Sequence, residues 1–182
     1  MTVTAVVLAG GRGSRIGGEK ALVQLGGRPL ISYPVAAARA AGLSVVVAAK
    51  RSTRLPPSLD AGVLVEPETP VHPLLGVITA LEQYPAVIAI PCDMPFLAPA
   101  ALAALAAARD EVATLWPGRP FPALYRRALI PRLRQVLEAG GPVRSTQPEA
   151  HAAPFTSAHS REQTVVNTPA DLVAAERLLS HP

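Results

Sequence analysis

The feature that most constrains the fold is a short apolar run, Val3–Leu8, that leads directly into a glycine-rich loop over residues 9–20. The run is rich in β-branched side chains, which predicts a buried strand. Similar runs recur along the first half of the chain and alternate with stretches that predict helices. Because parallel strands need crossover connections between them, this alternation predicts an α/β fold: a mainly parallel sheet with helices on both faces, in three layers.

The predicted elements place two segments at one edge of that sheet. We expect strands at Val3–Leu8, Leu43–Ala48, Val63–Glu66, Ala86–Ile90, Val112–Trp116 and Pro122–Tyr125, with a fragment at Val165–Val166. We expect helices at Ile31–Ala41, Leu74–Gln83, Pro99–Arg109, Arg126–Ala139 and Pro169–Leu179. Ligands of such folds bind beyond the carboxyl ends of the strands. The loop after the first strand and the segment after the fourth are therefore where we expect a site.

Length and composition predict one domain over residues 1–182. The chain has 182 residues, of which 49% are hydrophobic, and this excludes an intrinsically disordered chain. Its single cysteine, Cys92, excludes an intramolecular disulfide framework and a cysteine-based zinc cage. No signal-peptide pattern and no apolar stretch of the roughly 20 residues that a membrane span needs is visible. We therefore expect a cytoplasmic protein with no membrane association.

The charge balance is basic but not of the kind that binds nucleic acid. The formal net charge is +4, and 15 of the 17 basic residues are arginines scattered along the chain. Aromatic residues make up only 4%, too few for a platform that stacks bases. The arginines reflect either a compositional bias or attraction for a small anionic ligand. We expect no nucleic-acid partner.

The glycine-rich loop combines backbone amides with positive charge. Glycines allow N–H groups to approach and cradle phosphate oxygens, while arginine and lysine neutralise their charge. The spacing matches neither a Walker A loop nor a dinucleotide-binding fingerprint, so a plain surface turn is the alternative. The residues concerned are Gly10, Gly11, Gly13, Arg12, Arg15 and Lys20.

Asp93 follows the predicted fourth strand in the sequence Pro91-Cys92-Asp93-Met94-Pro95. A carboxylate at the carboxyl end of a buried strand suits a hard cation such as Mg²⁺, which takes one or two carboxylates and borrows oxygens from a phosphate ligand. A turn or helix-capping role is the alternative. For Cys92 a small buried residue is the simpler interpretation.

Taken together, these segments resemble the molybdenum cofactor guanylyltransferases, a family of nucleotidyltransferases with a Rossmann-like α/β fold. The resemblance begins with LAGGRGSRIGGEKALVQLGGRPL and runs along nearly the whole chain. Further similar segments are HPLLGVITAL, PCDMPFL, FPALYRRALIPRL and VNTPADL. The combination is far more specific than any one of these motifs.

The resemblance implies an activity and a set of substrates. The terminal phosphate of molybdenum-bound molybdopterin attacks the α-phosphorus of GTP, pyrophosphate leaves, and molybdopterin guanine dinucleotide forms. Residues 1–97 then hold the nucleotide and residues 98–182 the acceptor. Molybdoenzymes or other proteins of cofactor biosynthesis are the protein partners that such a product implies.

The resemblance also implies roles for individual residues. Leu8, Ala9 and Gly10 contact the nucleotide, and Lys20 binds the GTP phosphates. Asp93 holds Mg²⁺, with Asn167 as a second ligand. Together with the glycine amides, Arg15 and Lys20 absorb charge on the leaving pyrophosphate. The catalytic set is thus Arg15, Lys20 and Asp93.

The chain departs from the family pattern mainly where guanine and ribose are contacted. The family loop usually reads G-G-x-D-K, and here it is Gly17-Gly18-Glu19-Lys20. An asparagine common after the second strand is Ala48, and an aspartate common after the third is replaced by Glu66-Pro67. Glu66 either substitutes for that aspartate or is a surface residue at a strand end.

Two other hypotheses about the function stay open. One is a related transferase for another nucleotide or acceptor, such as a molybdenum cofactor cytidylyltransferase or a sugar-phosphate nucleotidyltransferase. The other is a non-catalytic nucleotide-binding module, which the departures favour and the joint presence of Lys20, Asp93 and Asn167 disfavours. Trp116 and Phe121 either line the acceptor side or pack in the core.

Overall fold

A computed structural model describes residues 2–11, 16, 18–116, 118–146, 151–152 and 160–180. Its strands are β1 (Thr4–Leu8), β2 (Gln24–Leu25), β3 (Arg28–Pro29), β4 (Ser44–Lys50), β5 (Gly62–Glu66), β6 (Ala86–Pro91), β7 (Val112–Thr114), β8 (Ala123–Arg126) and β9 (His151–Ala152). Its α-helices are α1 (Ser32–Ala40), α2 (Pro73–Gln83), α3 (Pro99–Ala107), α4 (Ile130–Glu138) and α5 (Pro169–Ser180). Short 3-10 helices cover Lys20–Leu22, Arg127–Leu129, Val143–Thr146 and Ser160–Gln163.

One sheet organises the chain in the order β5-β4-β1-β6-β8-β7-β9. Strands β5, β4, β1 and β6 are parallel neighbours, and β8 is antiparallel to both β6 and β7. The central strands are buried on both faces because helices cover each side. The predicted α/β class, with a mainly parallel sheet between two helical layers, is confirmed.

Two apolar clusters lie on opposite faces of the sheet. On one face α1 and α3 pack through Val35, Leu102 and Leu105, and this cluster contains Cys92 and Trp116. On the other face α2 and α4 pack through side chains such as Leu74 and Leu133. A third cluster joins α5 to the β2-β3 hairpin through Ala175 and Leu25. Ile16, which follows β1, also packs against this third cluster.

The structure corrects several predicted boundaries. Arg126 ends β8 instead of opening a helix, and α4 begins at Ile130 with Pro131 in its first turn, where a missing N–H costs nothing. Val165–Val166 is not a strand; the Val166 N–H donates instead to the Asp93 carbonyl oxygen at 2.9 Å. Strand β4 continues to Lys50, two residues beyond the predicted end.

No helix within the described ranges is long and apolar enough to cross a membrane.

Candidate functional site

The carboxyl ends of the parallel strands bring the functional side chains to one edge of the sheet. Strand β1 ends at Leu8, just before Gly10 and Gly11, and β4 and β5 end at Lys50 and Glu66. Asp93 lies two residues beyond the end of β6. Residues far apart in the sequence therefore meet at one place because parallel strands share their direction.

Lys20, Asp93 and Asn167 form the polar centre of this edge. The Lys20 Nζ lies 2.5 Å from Asp93 Oδ2 and 2.6 Å from Asn167 Oδ1, so one ammonium joins both side chains. The Lys20 and Asp93 side chains are only 16% and 10% exposed. The charge-assisted bonds are therefore largely shielded from water, which strengthens them. The structure thus brings these three residues, named from the sequence, into contact.

Asn167 is held in place by the start of α5. The Asp171 carboxylate accepts from the backbone N–H groups of Asn167 and Thr168 at 2.9 and 2.8 Å, and the Asp171 N–H donates to Thr168 Oγ1 at 3.2 Å. This reciprocal arrangement is a capping box. The hydrogen bond from the Asn167 backbone is the main reason that the pKa of Asp171 is lowered. The capping box thus fixes the backbone at Asn167, whose side-chain amide oxygen accepts from Lys20.

Asp93 has one oxygen left over. Its Oδ1 is buried and accepts no hydrogen bond within the described part of the chain. A buried, unpartnered carboxylate oxygen is costly, and a bound cation is one way to satisfy it. The carboxylate of Asp93 and the amide oxygen of Asn167 are both hard donors, which fit Mg²⁺ with phosphate and water as its other ligands. No group of three or more His, Cys, Asp or Glu side chains assembles in the described ranges, so a closed all-protein cage is not what these residues form.

A cavity of about 230 Å³ opens beside this cluster. Glycine backbone, one lysine, one histidine, two carboxylates and several apolar side chains line it. The lining residues are Leu8, Gly10, Gly11, Lys20, Glu66, Val71, His72, Pro73, Pro91, Cys92, Asp93 and Phe121. A small concave site with a few convergent polar groups is typical of ligand binding.

A second lysine and carboxylate pair adjoins the cavity through Glu66, which lines it. The side chains of Lys50 and Glu66 are 7% and 6% exposed, and Lys50 Nζ lies 3.4 Å from Glu66 Oε1. The same ammonium donates to the Pro67 carbonyl oxygen at 2.6 Å. Burial raises the pKa of Glu66, and the positive charge of Lys50 opposes that rise. Glu66 is therefore a buried cavity residue, and the interpretation as a surface residue is wrong.

Two glycines make room for the Glu66 carboxylate. A Cβ at Gly10 would lie within 2 Å of Glu66 Oε1, far inside van der Waals contact. A Cβ at Gly76 would lie 2.6 Å from Glu66 Oε2 and 2.9 Å from Leu8 Cδ2. The loop after β1 and helix α2 thus approach each other across this carboxylate.

The other predicted residues divide between site and core. Leu8, Gly10 and Gly11 line the cavity, whereas Ala9 is buried and its N–H donates to the Ala48 carbonyl oxygen at 2.8 Å. Trp116 packs in the core, whereas Phe121 packs against the cluster of α2 and α4 and also lines the cavity.

Four further residues named from the sequence need separate mention. Arg12, Gly13 and Arg15 lie outside the described residues, so their predicted roles rest on the sequence. Cys92 is buried, and burial raises the pKa of its thiol to about 12, which leaves it without nucleophilic character. The interpretation of Cys92 as a small buried residue agrees with this placement.

Sequence reasoning assigned no role to two residues at the cavity: one lines it, and the other is paired with a lining residue. His72 lines it, and its Nδ1 accepts from the Leu74 N–H at 3.2 Å at the start of α2. Lys50 was not singled out, although it is one of only two lysines in the chain and the other is in the site. The small number of lysines is the sequence feature that could have pointed to Lys50.

Comparisons with known proteins agree with this geometry. Residues 5–153 match the family described as the MobA-like NTP transferase domain. A molybdenum cofactor guanylyltransferase from Xanthomonas euvesicatoria is 32% identical over 174 residues, which cover 91% of this chain and 90% of that protein. One from Shewanella sp. is 31% identical over 149 residues, 76% of each chain. The predicted family resemblance is confirmed.

A solved structure supports the fold. Molybdopterin-guanine dinucleotide biosynthesis protein A from Archaeoglobus fulgidus is 24% identical, with a TM-score of 0.73 and full coverage of both chains. At that identity the likeness shows the architecture alone, and architecture by itself selects neither nucleotide nor acceptor.

Proposed function

The chain belongs to the MobA-like NTP transferase family and is a nucleotidyltransferase, and on that premise we propose that it transfers GMP from GTP to molybdopterin. The terminal phosphate of molybdenum-bound molybdopterin attacks the α-phosphorus of GTP. A new P–O bond forms, the bond between the α- and β-phosphates breaks, and pyrophosphate leaves. The product is molybdopterin guanine dinucleotide.

The observation that carries this proposal is the joint placement of Lys20, Asp93 and Asn167 beside the glycine backbone of one cavity. The attacking phosphate is already an anion, so no strong general base is needed. What the site must do is reduce the repulsion between two polyanions and hold them in line. The ammonium of Lys20 and the amides of the glycine loop are groups of the right charge to stabilise the leaving pyrophosphate. We assign Arg15 to the same role from the sequence.

Asp93 and Asn167 are the residues that we propose hold Mg²⁺. The unpartnered Asp93 Oδ1 supports this assignment, because it is a buried hard donor that lacks a partner among the described residues. When bound, Mg²⁺ would supply Lewis-acid stabilisation of charge on the transferring phosphate. The Val166 N–H donates a hydrogen bond to the Asp93 backbone carbonyl oxygen. Because Asn167 follows Val166, this bond holds the two proposed ligands next to each other.

Glu66 supports guanine as the base. Guanine presents two adjacent donors, N1–H and the N2 amino group, and a carboxylate accepts from both. Cytosine presents only its N4 amino group beside acceptors, which a carboxylate would repel. Lys50 pairs with the Glu66 carboxylate and Gly10 and Gly76 leave room for it, so this chain offers an acceptor where it lacks the aspartate of the family pattern.

The two halves of the chain then divide the work. We propose that residues 1–97 hold GTP and that residues 98–182 hold molybdopterin, with Phe121 as the apolar contact for the acceptor. Molybdoenzymes or cofactor-biosynthesis proteins would receive the product, in the cytoplasm. The proposal involves neither nucleic acid nor a membrane.

The experiment that tests the proposal compares nucleotides in a single assay. The purified chain is incubated with molybdenum-bound molybdopterin, Mg²⁺ and GTP, CTP, ATP or UTP, and released pyrophosphate is measured. We expect release with GTP, at least tenfold faster than with CTP, and none without the acceptor. Faster release with CTP would identify a cytidylyltransferase, and binding of nucleotide without any release would identify a binding module. The Asp93→Ala variant is the matched control for contaminating activity.

A further inference from the structure

We propose that Lys20 occupies the divalent-cation position in the free enzyme, and that a nucleoside triphosphate opens this position by drawing the ammonium away. The inference rests on the proposed function, because it concerns the order in which the same site takes its ligands. It adds a second task to Lys20 beyond contact with phosphate.

The Lys20 ammonium lies at the position where the proposed Mg²⁺ would bind. The Lys20 Nζ lies within 2.6 Å of one oxygen from Asp93 and one from Asn167, the two oxygens that suit a metal ion. Mg²⁺ binds oxygens at about 2.0–2.1 Å in strict octahedral geometry. An ammonium and a divalent cation cannot share this gap, and their charges repel at such short range in a partly buried site.

The oxygens are anchored while the ammonium is not. Asp93 and Asn167 belong to segments joined by the backbone hydrogen bond from Val166 to Asp93, and Asn167 is further held by the capping carboxylate of Asp171. Lys20 reaches them through a flexible four-carbon stem that turns about its own side-chain bonds. Exchange therefore requires only a new side-chain conformation of Lys20.

The Lys20 side chain can move within the cavity, toward the glycine backbone. Lys20, Gly10 and Gly11 line the same space, so a triphosphate bound against the glycine backbone would face the ammonium directly. A triphosphate carries more negative charge than the single carboxylate of Asp93 and therefore competes for the ammonium. When the Lys20 ammonium moves to the triphosphate, Asp93 Oδ2 and Asn167 Oδ1 become free beside the unpartnered Asp93 Oδ1. Nucleotide and cation are thus coupled, and the coupling is reciprocal.

Binding of Mn²⁺ to the full chain without nucleotide, followed by electron paramagnetic resonance, tests this inference without any measurement of activity. We expect Lys20→Met to bind Mn²⁺ at least tenfold more tightly than the wild type. Arg54→Met is the matched control. Arg54 pairs with Glu19 and its side chain is 73% exposed. Its loss changes the net charge equally but leaves the contacts of Lys20 with Asp93 and Asn167 intact. Arg54→Met should bind Mn²⁺ as the wild type does, and Lys20→Met/Asp93→Asn should lose the gain. Equal affinity of Lys20→Met and wild type, or a gain that survives Asp93→Asn, would overturn the inference.

A measurement on the unaltered chain covers the case in which Lys20→Met does not fold. The chain has only two lysines, so ¹⁵N-labelled lysine gives two side-chain signals, which Lys50→Met assigns. We expect a GTP analogue with a methylene group between the α- and β-phosphates to shift the Lys20 signal at a Mg²⁺ concentration that leaves the signal in place without the analogue. Equal displacement by Mg²⁺ with and without the analogue refutes the exchange. Failure of every nucleotide to bind would instead refute the proposed function, so the two failures are distinguishable.

Discussion

Removal of the Lys50 ammonium should destabilise the protein strongly and in a pH-dependent way. Lys50 and Glu66 are both more than nine-tenths buried, and Lys50→Met leaves the Glu66 carboxylate buried with its cation gone. Loss of one partner from a buried ion pair typically costs about 3–5 kcal/mol of unfolding free energy. For a chain of this size, about 2–4 °C per kcal/mol converts this into a melting temperature lowered by roughly 6–20 °C.

The sign of the pH dependence follows from Glu66. Its pKa in the folded protein is raised by burial above the ordinary value of 4.5, even with Lys50 present. A group with a raised folded pKa contributes stability at low pH that is lost as the pH rises through that pKa. Loss of Lys50 raises the pKa of Glu66 further. The stability difference between wild type and Lys50→Met should therefore be small at about pH 4.5 and largest at neutral pH and above.

Urea unfolding followed by fluorescence measures this difference, because Trp116 is the single tryptophan and is buried. The matched control is Lys50→Met/Glu66→Gln, which removes both charges. We expect it to recover most of the lost stability, because replacement of a whole buried pair by neutral groups is often close to neutral. A penalty for Lys50→Met below about 1 kcal/mol at pH 7.5, or one equal at both ends of the pH range, would refute the reasoning.

Four further predictions follow from the site. Asp93→Asn should reduce the rate of pyrophosphate release by roughly 10² or more, and near-normal turnover would remove Asp93 from the reaction. Glu66→Gln should weaken GTP binding by roughly tenfold, as expected for loss of part of a bidentate contact, and calorimetry with CTP should show no matching loss; an equal loss for both nucleotides would count against base recognition. Gly76→Ala should both destabilise the fold by about 1–3 kcal/mol and weaken GTP binding, because its Cβ would lie 2.6 Å from Glu66 Oε2; unchanged values in urea unfolding and calorimetry would show that the carboxylate has room to move. Thr168→Ala should cost about 1 kcal/mol, since it removes the hydroxyl acceptor at the start of α5, and unchanged unfolding would mean that water replaces it.

The first half of the chain was predictable because its signals are local. Buried parallel strands appear in the sequence as continuous apolar runs, and glycine and proline mark where they end, so β1, β6 and α2 lie close to their predicted positions. The same reasoning placed Lys20 and Asp93 at one edge of the sheet. The second half was less predictable, because Arg126 and Val165–Val166 take their conformation from neighbouring segments and not from local pattern.

The sequence by itself determined the fold class, the family and the residue types that meet at the site. It did so because hydrophobic periodicity and a chain of spaced motifs are properties of the linear order. Only the tertiary structure decided that Glu66 is buried beside Gly10 and Gly76, that Lys50 is its partner, and that Lys20 bridges Asp93 and Asn167. These contacts join positions up to 147 residues apart, and their distances depend on how strands and helices pack together, which no local pattern encodes.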